Sequence, residues 1–123
     1  MHIRKVIFTA GCFWTVLVSS CAHTENNKLI IGHWQGIEWL ENGKPSELNA
    51  SGTAFNFTDK GTYRFDYGSN RENGTYKVEN DMLFTTPENQ TEIMVKIAKL
   101  TPDSLVFEMN RSGGQERLTL LRR

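Results

Sequence analysis

The chain has 123 residues, and its 14 Lys and Arg balance its 14 Asp and Glu to a formal net charge of zero. The basic residues form no clustered stripe that could neutralise a row of phosphates, so the composition excludes nucleic acid as an expected partner. The length fits one folded domain once a targeting segment at the start of the chain is set aside.

The first 20 residues have the layout of an export signal. Residues 1–5 provide a basic start, residues 6–18 form an apolar run, and small residues follow it. This run is shorter than the ~20 apolar residues that a membrane-spanning helix needs. We predict that residues 1–20 are a signal peptide and are removed. The remaining 103 residues carry a net charge of −2 and keep Cys21 as their single cysteine.

Residues 18–21 read Val-Ser-Ser-Cys and resemble the lipobox of bacterial lipoproteins. The resemblance implies cleavage after Ser20 and transfer of a diacylglycerol to the Cys21 thiol, since a thiolate is the nucleophile in such a transfer. Two or three acyl chains would then anchor the protein to a membrane. Ala22 stands where many such lipoproteins carry the aspartate that signals inner-membrane retention, so the resemblance implies the outer membrane, facing either side. The alternative is a plain secretory signal with a chance cysteine.

Residues 21–28 are polar and show neither a helical nor a strand period, which predicts a short lipidated tether. Beyond it, residues 29–123 contain short runs of β-branched and aromatic side chains, each ended by Gly, Asn, Asp or Pro. No run keeps a helical period, so these residues predict one all-β domain. The eight predicted strands cover residues 31–40, 52–58, 62–67, 74–79, 82–86, 91–100, 104–110 and 115–122.

Eight consecutive antiparallel strands joined by short hairpins predict a small up-and-down barrel, because closing the sheet removes its exposed edges. A two-sheet sandwich would satisfy the same alternation of apolar and polar side chains, but the short connections favour the barrel. The longest connection, residues 41–51, predicts either a loop or a short helix over one barrel end. A bulge is predicted at Gly36, and Trp39 after it either packs against that connection or faces the barrel mouth.

Three short segments resemble strand starts of lipocalins and related calycins. Residues 31–34, Ile-Gly-His-Trp, resemble the Gly-x-Trp opening of the first lipocalin strand. Residues 61–65 and 74–78 resemble the Gly-x-Tyr strand starts of small lipocalin-like domains in bacterial lipoproteins. The resemblance covers residues 29–123 and implies a lipocalin-like, calycin-type barrel.

The same resemblance implies a structural role for Trp34. In calycins this tryptophan packs across one barrel end beneath a basic residue of the last strand. Arg122 is the expected partner because it shares strand parity with Leu118 and Leu120, and Arg117 is the alternative. A guanidinium over an indole face stabilises a fold by about 0.5 to 2 kcal/mol.

Alternation along the strands assigns seven aromatic side chains to the barrel interior. They are candidates for a pocket that binds an apolar ligand: Phe55, Phe57, Tyr63, Phe65, Tyr67, Tyr76 and Phe107. The alternative is a filled core, since an eight-stranded barrel is only just wide enough to hold one small ligand, and the chain is shorter than a typical lipocalin. A void above about 300 Å³ would favour ligand binding.

The sequence predicts no enzyme, metal site or cofactor. The processed chain keeps only His23 and His33, without metal-ligand spacing, and no Ser-His-Asp or Cys-His set has a recognisable spacing. We therefore expect a membrane-anchored, lipocalin-like lipoprotein that binds a small apolar molecule or lipid in the bacterial envelope. The alternative is a filled barrel that contacts proteins, as an interaction module, an envelope-complex subunit or a protease inhibitor.

Overall fold

The computed structural model describes residues 26–111 and 113–123. The predicted signal peptide, residues 1–20, and the predicted lipidation site, Cys21, lie outside the described residues. Of the expected tether, residues 21–28, the structure describes the part from Asn26 onward. Residues 26–29 form a helical turn rather than an irregular segment. The side-chain amide of Asn26 donates to the Asn80 carbonyl at 3.0 Å, so the folded part already includes this turn.

Nine strands follow in the order of the chain. They are β1 (Gly32–Glu41), β2 (Lys44–Pro45), β3 (Thr53–Phe57), β4 (Thr62–Tyr67), β5 (Asn70–Glu79), β6 (Met82–Pro87), β7 (Ile93–Leu100), β8 (Ser104–Arg111) and β9 (Gly114–Arg122). One 3₁₀ helix, Ala50–Gly52, precedes β3.

Eight of these strands close into an antiparallel barrel. Strands β3 to β8 each pair with the next strand along the chain, and β1 pairs with both β3 and β9, so the first and last strands meet. The two-residue β2 pairs only with β1 and lies outside the ring. The prediction of a small eight-stranded up-and-down barrel is confirmed, and the sandwich alternative is wrong because one continuous sheet closes on itself.

The two ends of the barrel differ. At the end where β1 begins and β9 ends, Ile30 and Trp34 fill the interior and are 0% and 1% exposed. We call this the closed end. At the opposite end lie the turn between β4 and β5 and the connection between β6 and β7. We call it the open end.

The connection of residues 41–51 folds as a small hairpin followed by the 3₁₀ helix. Asn42 and Gly43 have φ values of 52° and 80°, a left-handed pair that suits a two-residue hairpin turn, and this turn starts β2. The prediction allowed a short helix here but missed β2. The ladder between β1 and β9 shifts register between Gly36 and Glu38, which matches the predicted bulge. Trp39 is 8% exposed and packs in the core.

Strand β5 begins at Asn70, four residues before the predicted start. Its first residues, 70–73, are all polar, so they carry no apolar alternation that a sequence pattern could detect. The register nevertheless pairs them with β4 down to Asn70 opposite Tyr67. This extension matters because it forms one wall of the open end.

The barrel is complete within the described residues. Its core side chains come from all eight barrel strands, and every buried side-chain nitrogen and oxygen in this part of the chain has a hydrogen-bond partner. A protein spanning residues 22–123 therefore contains the whole folded domain.

Candidate functional site: a cavity at the open end

The closed end is sealed by Arg122 and Trp34. The Arg122 guanidinium lies 4.3 Å from the centre of the Trp34 ring. It donates hydrogen bonds to the carbonyls of Pro102 (2.6 Å) and Ile31 (2.7 Å), and also to that of Leu29. The alternative partner, Arg117, pairs instead with Glu108 on the barrel surface. These contacts therefore hold the barrel together and fill its interior at this end. A cavity of about 360 Å³ lies beside them, between the N-terminal turn, the β3–β4 turn and the end of β5.

The backbone conformation and the nearby Arg122 explain why residue 32, two positions before Trp34, is glycine. Gly32 has a φ of 132°, which L side chains rarely adopt. A Cβ added there would lie 2.5 Å from Nη1 of Arg122. The Gly-x-Trp segment thus combines an indole that caps the core with a glycine that leaves room for the guanidinium above it.

Six of the seven candidate aromatic residues form one cluster of rings above the closed end, whereas Tyr67 packs edge-on to Trp39. The ring of Phe55 lies 5.4 Å from that of Phe57, 4.5 Å from that of Phe65 and 5.5 Å from that of Phe107. Tyr76 packs edge-on to Phe57 at 4.9 Å. Rings at these distances are in van der Waals contact. The interior next to the closed end is therefore packed with side chains.

Two tyrosine hydroxyls in this cluster donate to oxygen atoms of the barrel. Tyr63 donates to Oε2 of Glu72 at 2.6 Å, and Tyr76 donates to the Thr58 carbonyl at 2.6 Å. Burial raises the pKa of Tyr63 well above the ordinary tyrosine value, and the hydrogen bond to Glu72 raises it further. Burial also raises the pKa of Tyr76. Both side chains therefore remain phenols that donate.

Above the aromatic cluster, the open end contains a cavity of about 390 Å³. Its apolar wall consists of Phe65, Tyr67 and Pro87. The polar wall comes from the start of β5 and the connection after β6, and comprises Asn70, Arg71, Glu72, Asn73, Glu88 and Gln90. The cavity is open to solvent and combines both kinds of surface, as ligand sites in barrel mouths do.

The structure brings only part of the predicted ligand-binding set to this cavity. Phe65 and Tyr67 line it, whereas Phe57, Tyr63 and Phe107 are at most 3% exposed and belong to the core. Phe55 and Tyr76 also pack against that core. Sequence reasoning missed the polar wall, because residues 70–73 had not been assigned to a strand. Glu72 alternates with Gly74 and Tyr76 on β5, and this parity is the signal that would have found it.

A buried carboxylate, that of Glu116, also lies at the open end. Glu116 is 5% exposed, and its carboxylate accepts hydrogen bonds from Nε1 of Trp39 (2.8 Å) and Nε of Arg111 (3.0 Å). Both carboxylate oxygens are thus occupied. The arrangement fixes Trp39 inside the barrel and leaves the cavity as the accessible part of the site.

Within residues 26–111 and 113–123, no group of three or more His, Cys, Asp or Glu side chains is placed to hold a metal ion. In the same part of the chain, no helix is both long and apolar enough to cross a membrane.

A closed, eight-stranded antiparallel barrel with a tryptophan-capped end and a cavity at its mouth has the architecture of a calycin-type barrel. The family described as the lipocalin-like domain matches residues 30–107. Since the match covers more than half of the chain, the protein belongs to this family. None of the curated proteins matches the sequence.

Two crystal structures share the fold. One is of an uncharacterized protein from Bacteroides eggerthii, with 16% identity and a TM-score of 0.59 over 76% of this chain and 98% of the other. The second is of a lipocalin-like protein from Bacteroides uniformis, with 18% identity and a TM-score of 0.58 over 76% of this chain and 97% of the other. At these identities the similarity establishes the fold alone.

Proposed function

We propose that this protein is a lipid-anchored binding protein of the bacterial envelope that holds one small, partly apolar molecule at the mouth of its barrel. The observation that carries the proposal is the 390 Å³ cavity between an aromatic wall and a polar wall. This volume lies in the range of small-molecule sites, which begins at about 300 Å³. The stacked aromatic cluster beneath it limits the depth that a ligand can reach.

The proposed ligand places its apolar part against Phe65, Tyr67 and Pro87 and leaves its polar part toward β5. A wholly apolar molecule would lose hydration at the polar wall without compensation, so an amphipathic ligand, such as a lipid fragment, fits best. The lipocalin-like fold supports a binding role in general terms.

The anchor is proposed at Cys21, the last residue of the lipobox-like segment 18–21. Asn26, five residues later, lies at the closed end, where it bonds to the turn between β5 and β6. Five residues span at most about 18 Å, so lipidation of Cys21 would hold the closed end near the membrane. The tilted strand β5 separates that end from the cavity by roughly 20 Å, which supports entry of the ligand from the aqueous side. We place the protein at the outer membrane.

Fluorescence titration tests the binding proposal. The protein of residues 22–123 is titrated with N-phenyl-1-naphthylamine, an uncharged probe whose emission rises in apolar sites, and the bound probe is then displaced with fatty acids. Phe65→Ala, inside the cavity, should reduce probe binding, whereas Phe84→Ala, on the outer wall beside Lys77, should not. A folded wild-type protein that binds neither probe nor fatty acid would refute the proposal.

A second candidate function is protein interaction through the barrel wall. Ile37 and Leu121 lie on the neighbouring strands β1 and β9 and are 52% and 42% exposed. Such apolar side chains on an outer wall are typical of contact surfaces when they cluster. Cross-linking in intact cells, comparing wild type with Ile37→Ser/Leu121→Ser, would support this function if a cross-linked species disappears in the variant while probe binding is unchanged.

A further inference from the structure

We infer that the molecule held at the open end is an organic cation, an amine attached to an apolar ring or chain, and that the Glu72 carboxylate binds its positive charge. This inference rests on the proposed function, because it names the ligand class of the same cavity. It is carried by the hydrogen bonding of Glu72, by the charges around the cavity and by its aromatic wall.

Glu72 is held in place with one oxygen available. It lies on β5 opposite Phe65 and is half-buried in the cavity wall. Its Oε2 accepts the hydrogen bond from Tyr63 at 2.6 Å. Among the described residues, Oε1 has neither a hydrogen-bond donor nor a salt-bridge partner. A half-buried carboxylate with one fixed and one free oxygen is a preorganised acceptor for an N–H group of a ligand.

The other charges around the cavity favour a cation over an anion. Arg71 is the basic residue of the lining, and its Nε lies 3.1 Å from Oδ1 of Asp66 on the outer face of the sheet. Asp66 also pairs with Arg64 at 3.2 Å, so two guanidinium groups share its one carboxylate. Glu88, a second carboxylate, lies in the same lining as Glu72, so the lining holds two carboxylates and one guanidinium. An anionic ligand would meet two carboxylates at close range, whereas a cation would be attracted by both.

The aromatic wall favours an organic cation over a metal ion. Phe65 and Tyr67 line the cavity, and aromatic rings attract an alkylammonium group. The same rings accept the apolar part of the ligand. A metal ion has no apolar part for this wall to contact, and among the described residues no group of three or more His, Cys, Asp or Glu side chains is placed to hold one.

Tyr63 acts as a positioning residue for this site. It is 3% exposed and does not itself line the open-end cavity, so it acts through Glu72. Its hydroxyl fixes the carboxylate and leaves the free oxygen facing the ligand. Tyr63→Phe should therefore weaken binding of a cation and leave binding of a neutral molecule with the same ring unchanged, a difference that loss of folding alone would not produce.

The test uses three probes that share one naphthyl group and differ in charge. They are the cation of 2-(1-naphthyl)ethylamine, the neutral 2-(1-naphthyl)ethanol and the anion 1-naphthaleneacetate. Their affinities for the protein of residues 22–123 are measured by fluorescence titration at low and high salt. The amine should bind about tenfold more tightly than the alcohol, as expected for one charge-assisted hydrogen bond, and the acetate should bind most weakly. Added salt should reduce the preference for the amine.

Glu72→Gln should remove the preference for the amine while keeping the affinity for the alcohol. Glu92→Gln is the matched control, because Glu92 is exposed and lies outside the lining of this cavity. Equal binding of amine and alcohol to the wild type would overturn the inference and leave the proposed function standing. Equal effects of the two Gln variants would overturn the role of Glu72. If none of the three probes binds while N-phenyl-1-naphthylamine does, the inference fails and the proposed function stands.

Discussion

Arg122, on the last strand, lies over Trp34, on the first strand, with its guanidinium 4.3 Å from the ring centre. The two residues face each other across the β1–β9 ladder that closes the barrel. The guanidinium also donates to carbonyls of the segment that leads into β1. One side chain thus joins the two ends of the sheet, caps the core and satisfies backbone acceptors at the point where the chain enters the barrel.

Arg122→Gln should therefore destabilise the protein. The substitution removes the stacking on Trp34 and leaves several carbonyls short of a donor, which together correspond to about 2 to 4 kcal/mol. Urea unfolding followed by tryptophan fluorescence measures this difference. Arg123→Gln is the matched control, since the exposed Arg123 bonds to His33 only through its backbone amide. Equal stabilities of the two variants would contradict a closing role for Arg122.

Gly74→Ala should be destabilising because β6 approaches β5 closely at this point. A Cβ on Gly74 would overlap the Thr86 carbonyl and lie 2.9 Å from Cα of Pro87, both backbone groups that cannot rotate away. Overpacking of this kind costs about 1 to 3 kcal/mol. Gly114→Ala, whose Cβ would meet its nearest atom at an ordinary 3.5 Å, should have little effect. Thermal melts of the two variants provide the comparison.

Stability should fall in alkaline solution, and Tyr63 should account for part of the fall. The pKa of Tyr63 is raised in the folded state by burial and by Glu72, so above pH ~10 the unfolded chain releases a proton that the folded protein keeps. The contribution of Tyr63 is thus complete below pH ~10 and is lost as the pH rises toward the folded-state value. Tyr63→Phe should show a smaller loss between about pH 10 and 12 in urea unfolding. If the free energy of unfolding falls with pH as steeply in Tyr63→Phe as in the wild type, Tyr63 does not contribute to the alkaline loss of stability.

Cys21→Ser should block lipidation. Without the thiol no acyl group can be transferred, so unprocessed precursor that carries no fatty acid should accumulate. Labelling of cells with a radioactive fatty acid, with detection of the two chain lengths, measures both effects. Normal processing and fatty-acid labelling of the Ser variant would refute the anchor, while the barrel and its cavity would be unaffected.

The sequence contained enough information for the barrel because most strands carry apolar side chains at every second position and end at turn residues. It also allowed Trp34 to be paired with Arg122, from strand parity combined with the family resemblance. Both features are local or have a fixed period. Closure then follows from the need to pair the edges of the sheet.

The cavity could be predicted from the sequence only in part. Alternation assigns a side chain to the interior but does not tell how far along the barrel axis it lies. Phe57 and Phe65 were therefore both predicted to contact a ligand. Only the register places Phe65 beside the opening and Phe57 deep in the core. The polar start of β5 was hidden because Asn70 and Glu72 break the apolar pattern where the strand borders solvent.

Two-dimensional ¹H–¹⁵N NMR of the protein of residues 22–123, titrated with N-phenyl-1-naphthylamine, tests whether the open end of the barrel holds a small ligand. We predict saturable shifts of the amides of Phe65, Tyr67, Glu72 and Gln90, with those of Trp34 and Arg122 unmoved. Shifts centred on the closed end or on the outer wall, or no saturable shifts in a folded protein, would contradict a ligand site at the open end.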